Sequence, residues 1–182
     1  VRVFQGEKLQ LLLEREATGY RRCLKHHLNR RPRFAPVSLP PRLARAMVNL
    51  ALPSGVGKLL DPFCGTGGLL IEADDCDLDA SGSDLDGKMI DATRENLRYF
   101  GFTATVEQGD AAAVVQQMRP AAIVTDPPYG RSSSTAREPL KMLLARFSTA
   151  CVEALPIGGR LVLTLPDPAL LPQAGFRELY HY

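Results

Sequence analysis

The sequence predicts an α/β fold, with a mostly parallel central sheet covered by helices on both faces, preceded by a small β-hairpin and a basic linker. Three observations lead there. From Lys58 onward, short apolar runs alternate with amphipathic stretches, the pattern of strands buried on both faces. Four of those runs end at an aspartate: Asp61, Asp84, Asp110 and Asp126. Open α/β sheets bind ligands beyond the carboxyl ends of their strands, so four acids there point to one rim of ligand contacts. A glycine-rich turn, "DPFCGTGG", joins the first of these runs to a helical stretch.

Taken in order, "VRVFQGEKLQLLLERE" reads as a hairpin, with Gly6 in the turn between two apolar runs. "YRRCLKHHLNRRPRF" follows, broken by Pro32 and Pro36 on its way to the next element, and reads as a linker in which His26 and His27 are solvated or face a bound partner. "SLPPRLARAMVNLAL" opens on a Ser38 cap with prolines suited to a first helical turn, and Leu43, Met47 and Leu50 recur at helical spacing, with Leu43 and Met47 in the core. The strand candidates are "GKLLD", "LDASGSD", "TATVEQGD", "AAIVTD" and "GRLVLTLP". Between them, helices are expected over Gly68 to Ala73, Gly87 to Phe100, Ala111 to Met118 and Glu138 to Leu155, with Leu143, Leu144 and Phe147 in the core. This divides the chain into residues 1–33, hairpin and linker, and 34–182, one α/β domain.

With 182 residues and an apolar fraction of 45%, the composition is ordinary for a soluble globular domain with a good core. No apolar run approaches the roughly 18 residues that span a bilayer, which predicts no membrane partner. Cys23, Cys64, Cys76 and Cys151 are scattered without a Cys/His cluster, so reduced thiols in a cytoplasmic protein are expected, and no metal. The net charge of +2 conceals an asymmetry. Residues 1–60 hold twelve Lys/Arg against three Asp/Glu, and residues 61–182 hold ten against seventeen. Arg21, Arg22, Lys25, Arg30, Arg31 and Arg33 form a run without an acid, suited to a phosphate-bearing polyanion.

The glycine turn excludes two common ligand motifs. A nicotinamide fingerprint needs glycine three residues past Gly67, where Leu70 stands. A phosphate loop needs Ser or Thr after Gly-Lys, and Leu59 follows Gly57-Lys58.

The order of features resembles the class I S-adenosylmethionine-dependent methyltransferases, a Rossmann-like fold, and among them those that methylate exocyclic amines of nucleobases. "RPRFAPVSLPPRLARAMVNLA", "LLDPFCGTGGLLIEA", "GSDLDGKMIDATRENLRYFG" and "IVTDPPYGRSSS" together look like the catalytic domain of archaeal-type THUMP-containing tRNA guanosine-N2 methyltransferases. The resemblance implies S-adenosylmethionine as cofactor and tRNA as partner. It implies that Asp61, Pro62, Phe63, Cys64, Gly65, Thr66 and Gly67 hold the methionine portion, and that Asp84 binds the ribose hydroxyls. Asp110 would accept from the adenine amine, with Leu85 and Ala111 lining the ring, and Ser38 and Leu39 would lie in a segment closing over the cofactor.

The loop "DPPYGRSSS" would be the catalytic clamp. Guanine N2 is a poor nucleophile because its lone pair is delocalised into the ring, so alignment and lone-pair localisation are the enzyme's task. Asp126 and a carbonyl of Pro127 or Pro128 would accept the two N–H groups, Asp126 would take up the proton, and Tyr129 would stack on the base. Arg131 and Ser132 to Ser134 read as a solvated loop with phosphate contact as the alternative. Cys64 reads as a small packing residue.

Two departures from the family pattern stand out. The family carries an N-terminal RNA-binding THUMP module, and its fold ends in a final antiparallel strand, whereas "GFRELYHY" stops short of one. An excised domain is expected. The alternatives are an adenine-N6 or cytosine-N4 amino-methyltransferase acting on DNA or other RNA, and a non-catalytic RNA-binding module on the same fold.

Overall fold

The computed structural model describes residues 2–5, 8–11, 25–33, 38–52, 54–128, 138–165, 167, 170, 175–177 and 179. Arg2–Gln5 (β1) and Lys8–Leu11 (β2) pair antiparallel with Gln5 opposite Lys8, as the flanking apolar runs predict; Gly6 lies outside the described residues.

Five further strands form one parallel sheet: Leu59–Asp61 (β3), Ala80–Asp84 (β4), Thr105–Gln108 (β5), Ala122–Thr125 (β6) and Arg160–Leu163 (β7). Their spatial order is β5-β4-β3-β6-β7. The helices are Pro41–Ala51 (α1), Gly68–Asp74 (α2), Gly87–Phe100 (α3), Ala111–Met118 (α4) and Leu140–Ala154 (α5). Every strand and helix expected from Lys58 onward is therefore present, within a few residues at its ends. Among the described residues, no helix is long and apolar enough to cross a membrane.

Alternation along the strands divides the core in two. Leu59, Ala122 and Val124 face α1, α2 and α3, where Met47, Leu70, Ile71, Ile90 and Leu97 fill the space. Leu60 and Ile123, one residue on, face α4 and α5 and pack on Val115, Phe147 and Cys151. Successive side chains of a strand point to opposite faces, so a run of apolar residues is what a sheet covered on both sides requires. Each fully buried Leu, Ile or Phe in these layers contributes roughly 1.5–3 kcal/mol. Gly82 in β4 is fixed by packing, because a Cβ there would meet Leu70 Cδ1 at 2.6 Å.

Helix α1 departs from expectation in two ways. Ser38 does not cap it; Pro40 is the cap position, with Pro41 at the first helical position where no N–H is needed. Its buried face is Pro41, Ala44, Met47, Val48 and Ala51, while Leu43 is 45% exposed. Small residues take the seam because α1 lies close against α2.

The basic stretch is not a free linker over residues 25–33. His26 is 4% exposed, with Nδ1 3.3 Å from Glu72 Oε1 on α2 and Nε2 3.9 Å from Asp75 Oδ1. Its ring lies edge-on to Phe100 and Phe102, at 5.1 and 5.3 Å between centroids. Arg31 is buried as well, and its Nε donates to the His26 carbonyl at 3.1 Å. The expectation that His26 is solvated or faces a bound partner is thus corrected: aromatic packing and two carboxylates hold it inside, while its neighbour His27 is exposed.

Candidate active site

Connections leave β3 toward β4 and β5 on one side, and the chain returns to β6 and β7 on the other, so the strand order reverses between β3 and β6. A crevice forms at the carboxyl ends of strands where such a reversal occurs. Asp61 ends β3 and Asp126 follows β6 directly, which puts two of the four rim acids on the two sides of this point. Asp84 ends β4, and Asp110 stands two residues past β5.

Asp61 is 1% exposed. Its Oδ1 accepts from Thr125 Oγ1 at 2.7 Å and from the Phe63 N–H at 3.3 Å. Burial pushes its carboxyl up to about 7, against those two bonds and with help from the charges of Asp84 and Asp126. A cation brought beside it would reverse that balance.

The glycine turn is held from several sides. Gly67 has φ +83°, and a Cβ on it would meet Thr93 Cγ2 at 2.8 Å, so both conformation and space demand glycine. Asp84 Oδ2 accepts from the Gly65 N–H at 2.9 Å and its Oδ1 from the Asp86 N–H at 2.9 Å; burial raises its carboxyl. Thr93 Oγ1 donates to the Gly65 carbonyl at 2.7 Å. Asn96 Nδ2 donates to the Thr66 carbonyl at 2.8 Å and the Arg33 carbonyl at 2.7 Å, while Asn96 Oδ1 accepts from the Arg33 N–H at 2.9 Å. Ser38 Oγ lies 3.2 Å from Thr66 Oγ1, and Leu39 packs on the first core layer. The segment preceding α1 therefore runs against the glycine turn.

Within the turn the residues divide by direction. Pro62 is buried, and Phe63 packs its ring edge-on to Phe147 at 5.2 Å. Cys64 is 5% exposed beside Gly82, and burial plus the nearby Asp61 and Asp84 charges push its thiol well up, which leaves it a packing residue. A Cβ on Gly65 would meet nothing within 4 Å, so the turn presents open backbone there.

At the other end of the rim, Leu85 is 46% exposed beside Asp84 and offers apolar surface. The Ala111 methyl belongs to the second core layer, which leaves its backbone as the part a ring can meet. Asp110 caps α4 by accepting from the Ala113 N–H at 3.2 Å. It also binds Arg146 bidentately, at 2.7 Å to Nη1 and 2.6 Å to Nη2, and this guanidinium holds its carboxyl below the usual range.

Asp126 is half-buried and accepts a hydrogen bond from Thr164 Oγ1, just past β7. Pro127 is buried and Pro128 half-buried. Tyr129, Arg131 and Ser132 to Ser134 lie outside the described residues.

Thr125, Thr164, Thr93, Asn96, Arg146 and Glu138 were not legible as site residues. Each acts through a partner 28 or more residues away in sequence, except the Glu138–Arg146 pair at eight. His26, Glu72 and Asp75 gather ligand-type atoms within 4.8 Å of one another. Arg45 already bonds both carboxylates there, so the cluster reads as an ion-pair network holding residues 25–33 to α2. Two surface hollows, of about 380 and 490 Å³, are lined by Ala121 and Arg160 at the amino ends of β6 and β7 and by Asn49 and Cys76; both lie away from the acidic rim.

Comparison with known proteins identifies the family of the chain. The family model described as "RMKL-like, methyltransferase domain" matches residues 29–175. The chain is 43% identical over 148 residues to a tRNA (guanine(10)-N2)-dimethyltransferase of Methanothermobacter thermautotrophicus, covering 78% of this chain and 44% of that protein. It is 39% identical over 139 residues to the tRNA (guanine(10)-N2)-dimethyltransferase of Pyrococcus abyssi, covering 74% and 41%. The crystal structure of TrmN from Thermus thermophilus superposes with a TM-score of 0.64 at 30% identity, covering 84% of this chain and 45% of that one. The chain thus spans less than half the length of these relatives. With its glycine turn, rim of aspartates and parallel sheet all inside the matched residues, the chain belongs to the RMKL-like methyltransferase-domain family.

Proposed function

We propose that this chain is the catalytic unit of an S-adenosylmethionine-dependent tRNA methyltransferase acting on the exocyclic N2 amine of a guanosine. Residues 34–182 carry the chemistry. Residues 1–33 lead, through the docked segment 25–33, to an N-terminal THUMP module that supplies further contacts to tRNA in the full-length cytoplasmic protein. The observation that carries the reading is Asp126 at the strand-order reversal, directly after the strand next to the one that ends at Asp61. The identity to tRNA (guanine(10)-N2)-dimethyltransferases favours guanine N2 as the target amine.

The donors of the cofactor fit the acceptors of the rim. Its ammonium suits Asp61, whose buried carboxyl gains a compensating cation. The ribose diol suits Asp84, a carboxylate at the strand end held in place by backbone N–H groups, those of Gly65 and Asp86 among them. The adenine amine suits Asp110, and the ring suits the exposed side chain of Leu85. When bound, S-adenosylmethionine supplies a methyl group activated on a sulfonium.

The chain's own residues then have to align an amine. Asp126 accepts one N–H of the guanine amine and a carbonyl of Pro127 or Pro128 accepts the other, which turns the nitrogen lone pair outward. Thr164 Oγ1 bonds one oxygen of Asp126 and fixes its rotamer. Asp126 takes up the departing proton, directly or through water. Tyr129 stacks on the base, and a base paired in a helix must first be flipped out to reach this clamp.

Transfer of labelled methyl to tRNA, followed by nucleoside digestion, tests the assignment. N2-methylguanosine or N2,N2-dimethylguanosine is the expected product, and a dominant N6-methyladenosine overturns it. Asp126→Ala should lower transfer by about 10²- to 10⁴-fold with cofactor affinity unchanged. Equal loss of both would remove Asp126 from the clamp.

A further inference from the structure

Thr125, the last residue of β6, has no exposed surface and is assigned no role by the chemistry above. It stands between the two acids that the proposed reaction uses. Its Oγ1 donates to Asp61 Oδ1 on β3 at 2.7 Å, and the next residue in the chain is Asp126. β3 and β6 pair at Leu59 with Ala122 and at Leu60 with Ile123. Asp61 and Thr125 lie past the last of those pairs, so a side-chain bond ties the two strand ends where the backbone ladder no longer does. On the other side the ladder runs on. Thr125 pairs with Leu163 of β7, its carbonyl accepts from the Thr164 N–H at 3.4 Å, and Thr164 Oγ1 donates to Asp126. A row of Asp61, Thr125, Asp126 and Thr164 thus crosses three neighbouring strands at the mouth of the crevice.

The tie to Asp61 is a hydroxyl, and that choice has a consequence. Asp61 is buried, and the charges that bear on it most are those of Asp84 and Asp126, both negative. A lysine or arginine in place of Thr125 could also hold the carboxylate, but it would bring the positive charge that the cofactor's ammonium supplies. A hydroxyl donates a hydrogen bond and no charge, so it fixes the direction of the carboxylate and leaves its charge for a ligand. Methyl transfer needs that direction fixed. The methyl donor is held through Asp61 and the amine through Asp126, and misplacing reacting groups by about 1 Å costs on the order of a hundredfold in rate.

We infer that Thr125 is a positioning residue for methyl transfer: it ties the acid that takes the cofactor's ammonium to the strand end that carries the amine clamp, and so sets the approach of methyl to nitrogen. The inference rests on the proposed roles of Asp61 and Asp126, and not on which amine is methylated.

Single-turnover transfer to tRNA at saturating cofactor, set beside calorimetric binding of S-adenosylhomocysteine, tests it. Thr125→Val keeps the shape of the side chain and removes the donor. It should slow transfer by about tenfold to a hundredfold. S-adenosylhomocysteine should weaken by no more than about tenfold, because Asp61 keeps its bond from the Phe63 N–H. Thr125→Ser, which restores the hydroxyl, should recover most of the rate. Thermal melts show which variants fold, and Thr125→Cys, a weaker donor of similar size, serves if Thr125→Val does not. The inference is overturned if the variant without the hydroxyl transfers at the parent's rate once cofactor saturates, since Thr125 then acts on binding alone. It is also overturned if Thr125→Ser is as slow as Thr125→Val, which would make the methyl group and its packing the cause. Asp126→Ala separates the two levels. If it stops transfer while Thr125→Val does not, the inference falls and the clamp stands; if it leaves transfer intact, the clamp falls and the inference with it. A parent chain that transfers no methyl overturns the proposed function itself.

Discussion

Asp61 shows how one carboxyl carries opposing demands of stability and binding. Folding buries it, so the folded chain keeps its proton up to about 7, whereas the ordinary aspartate value is 3.8. Between those values the folded state binds more protons than the unfolded one, so stability falls as pH rises through this window and levels off above it. The full effect is about 4 kcal/mol as an upper bound. Asp61→Asn keeps an Oδ1 that accepts from Thr125 Oγ1 and the Phe63 N–H but cannot ionise. Relative to the parent, the variant should gain stability steadily from pH 4 to 7 and hold that gain at pH 8. The new amide N–H group subtracts a constant amount at every pH, so the difference between pH 5 and pH 8 in urea unfolding is the readout. A pH-independent difference would show that Asp61 titrates normally in the fold. The same variant should bind the cofactor at least about tenfold more weakly, because its ammonium loses a charged partner.

At the scale of elements, α3 acts as a staple. Asn96, with no exposed surface, joins the carbonyl of Thr66 in the glycine turn to both backbone groups of Arg33 in the incoming segment. Asn96→Ala strands three backbone groups that are buried or partly buried and should cost about 2–4 kcal/mol in chemical denaturation. It should also weaken cofactor binding, since the turn and the segment before α1 lose their common anchor. Unchanged stability would mean that water replaces the amide at no cost. Elements of this kind also mark the boundary of what the sequence reveals. Strands and helices were legible from Lys58 onward because alternation and helical spacing are local properties. The face of α1 was legible only at Met47, because searching for large apolar side chains also selects Leu43 and Leu50, each one residue before Ala44 and Ala51 of the buried seam. Ser38 looks like a cap but bonds Thr66, 28 residues away. The four rim acids were legible as ends of strands. Their partners Thr125, Thr164 and Arg146 were not, because nothing local distinguishes a threonine or arginine that will meet an acid across the sheet.

Over the whole molecule, charge is divided so that cations precede the sheet and acids line it, but the fold changes which cations are available to a polyanion. Of the run without acids in sequence, Arg31 is buried and Arg33 donates to Glu95 at 2.8 Å, so neither presents its full charge outward. Arg21 and Arg22 lie outside the described residues, while Lys25 and Arg30 are exposed on the docked segment. If the chain takes tRNA as proposed, those two are the described cations of this run left to meet its phosphates. Each phosphate contact contributes about 0.7–0.9 to the slope of log affinity against log salt. Replacing both by glutamate should flatten the slope for tRNA by roughly 1.4–1.8 and weaken binding at low salt by about tenfold or more, irrespective of sequence. Arg33→Glu should change the slope less, since its charge is already met by Glu95, and cofactor affinity should be untouched in each case. Filter binding across 50–200 mM salt reads all three quantities. An unaltered slope in the Lys25→Glu, Arg30→Glu chain would move the phosphate contacts off this segment, and the excess positive charge of the first sixty residues would then serve packing against α2 and α3 rather than RNA.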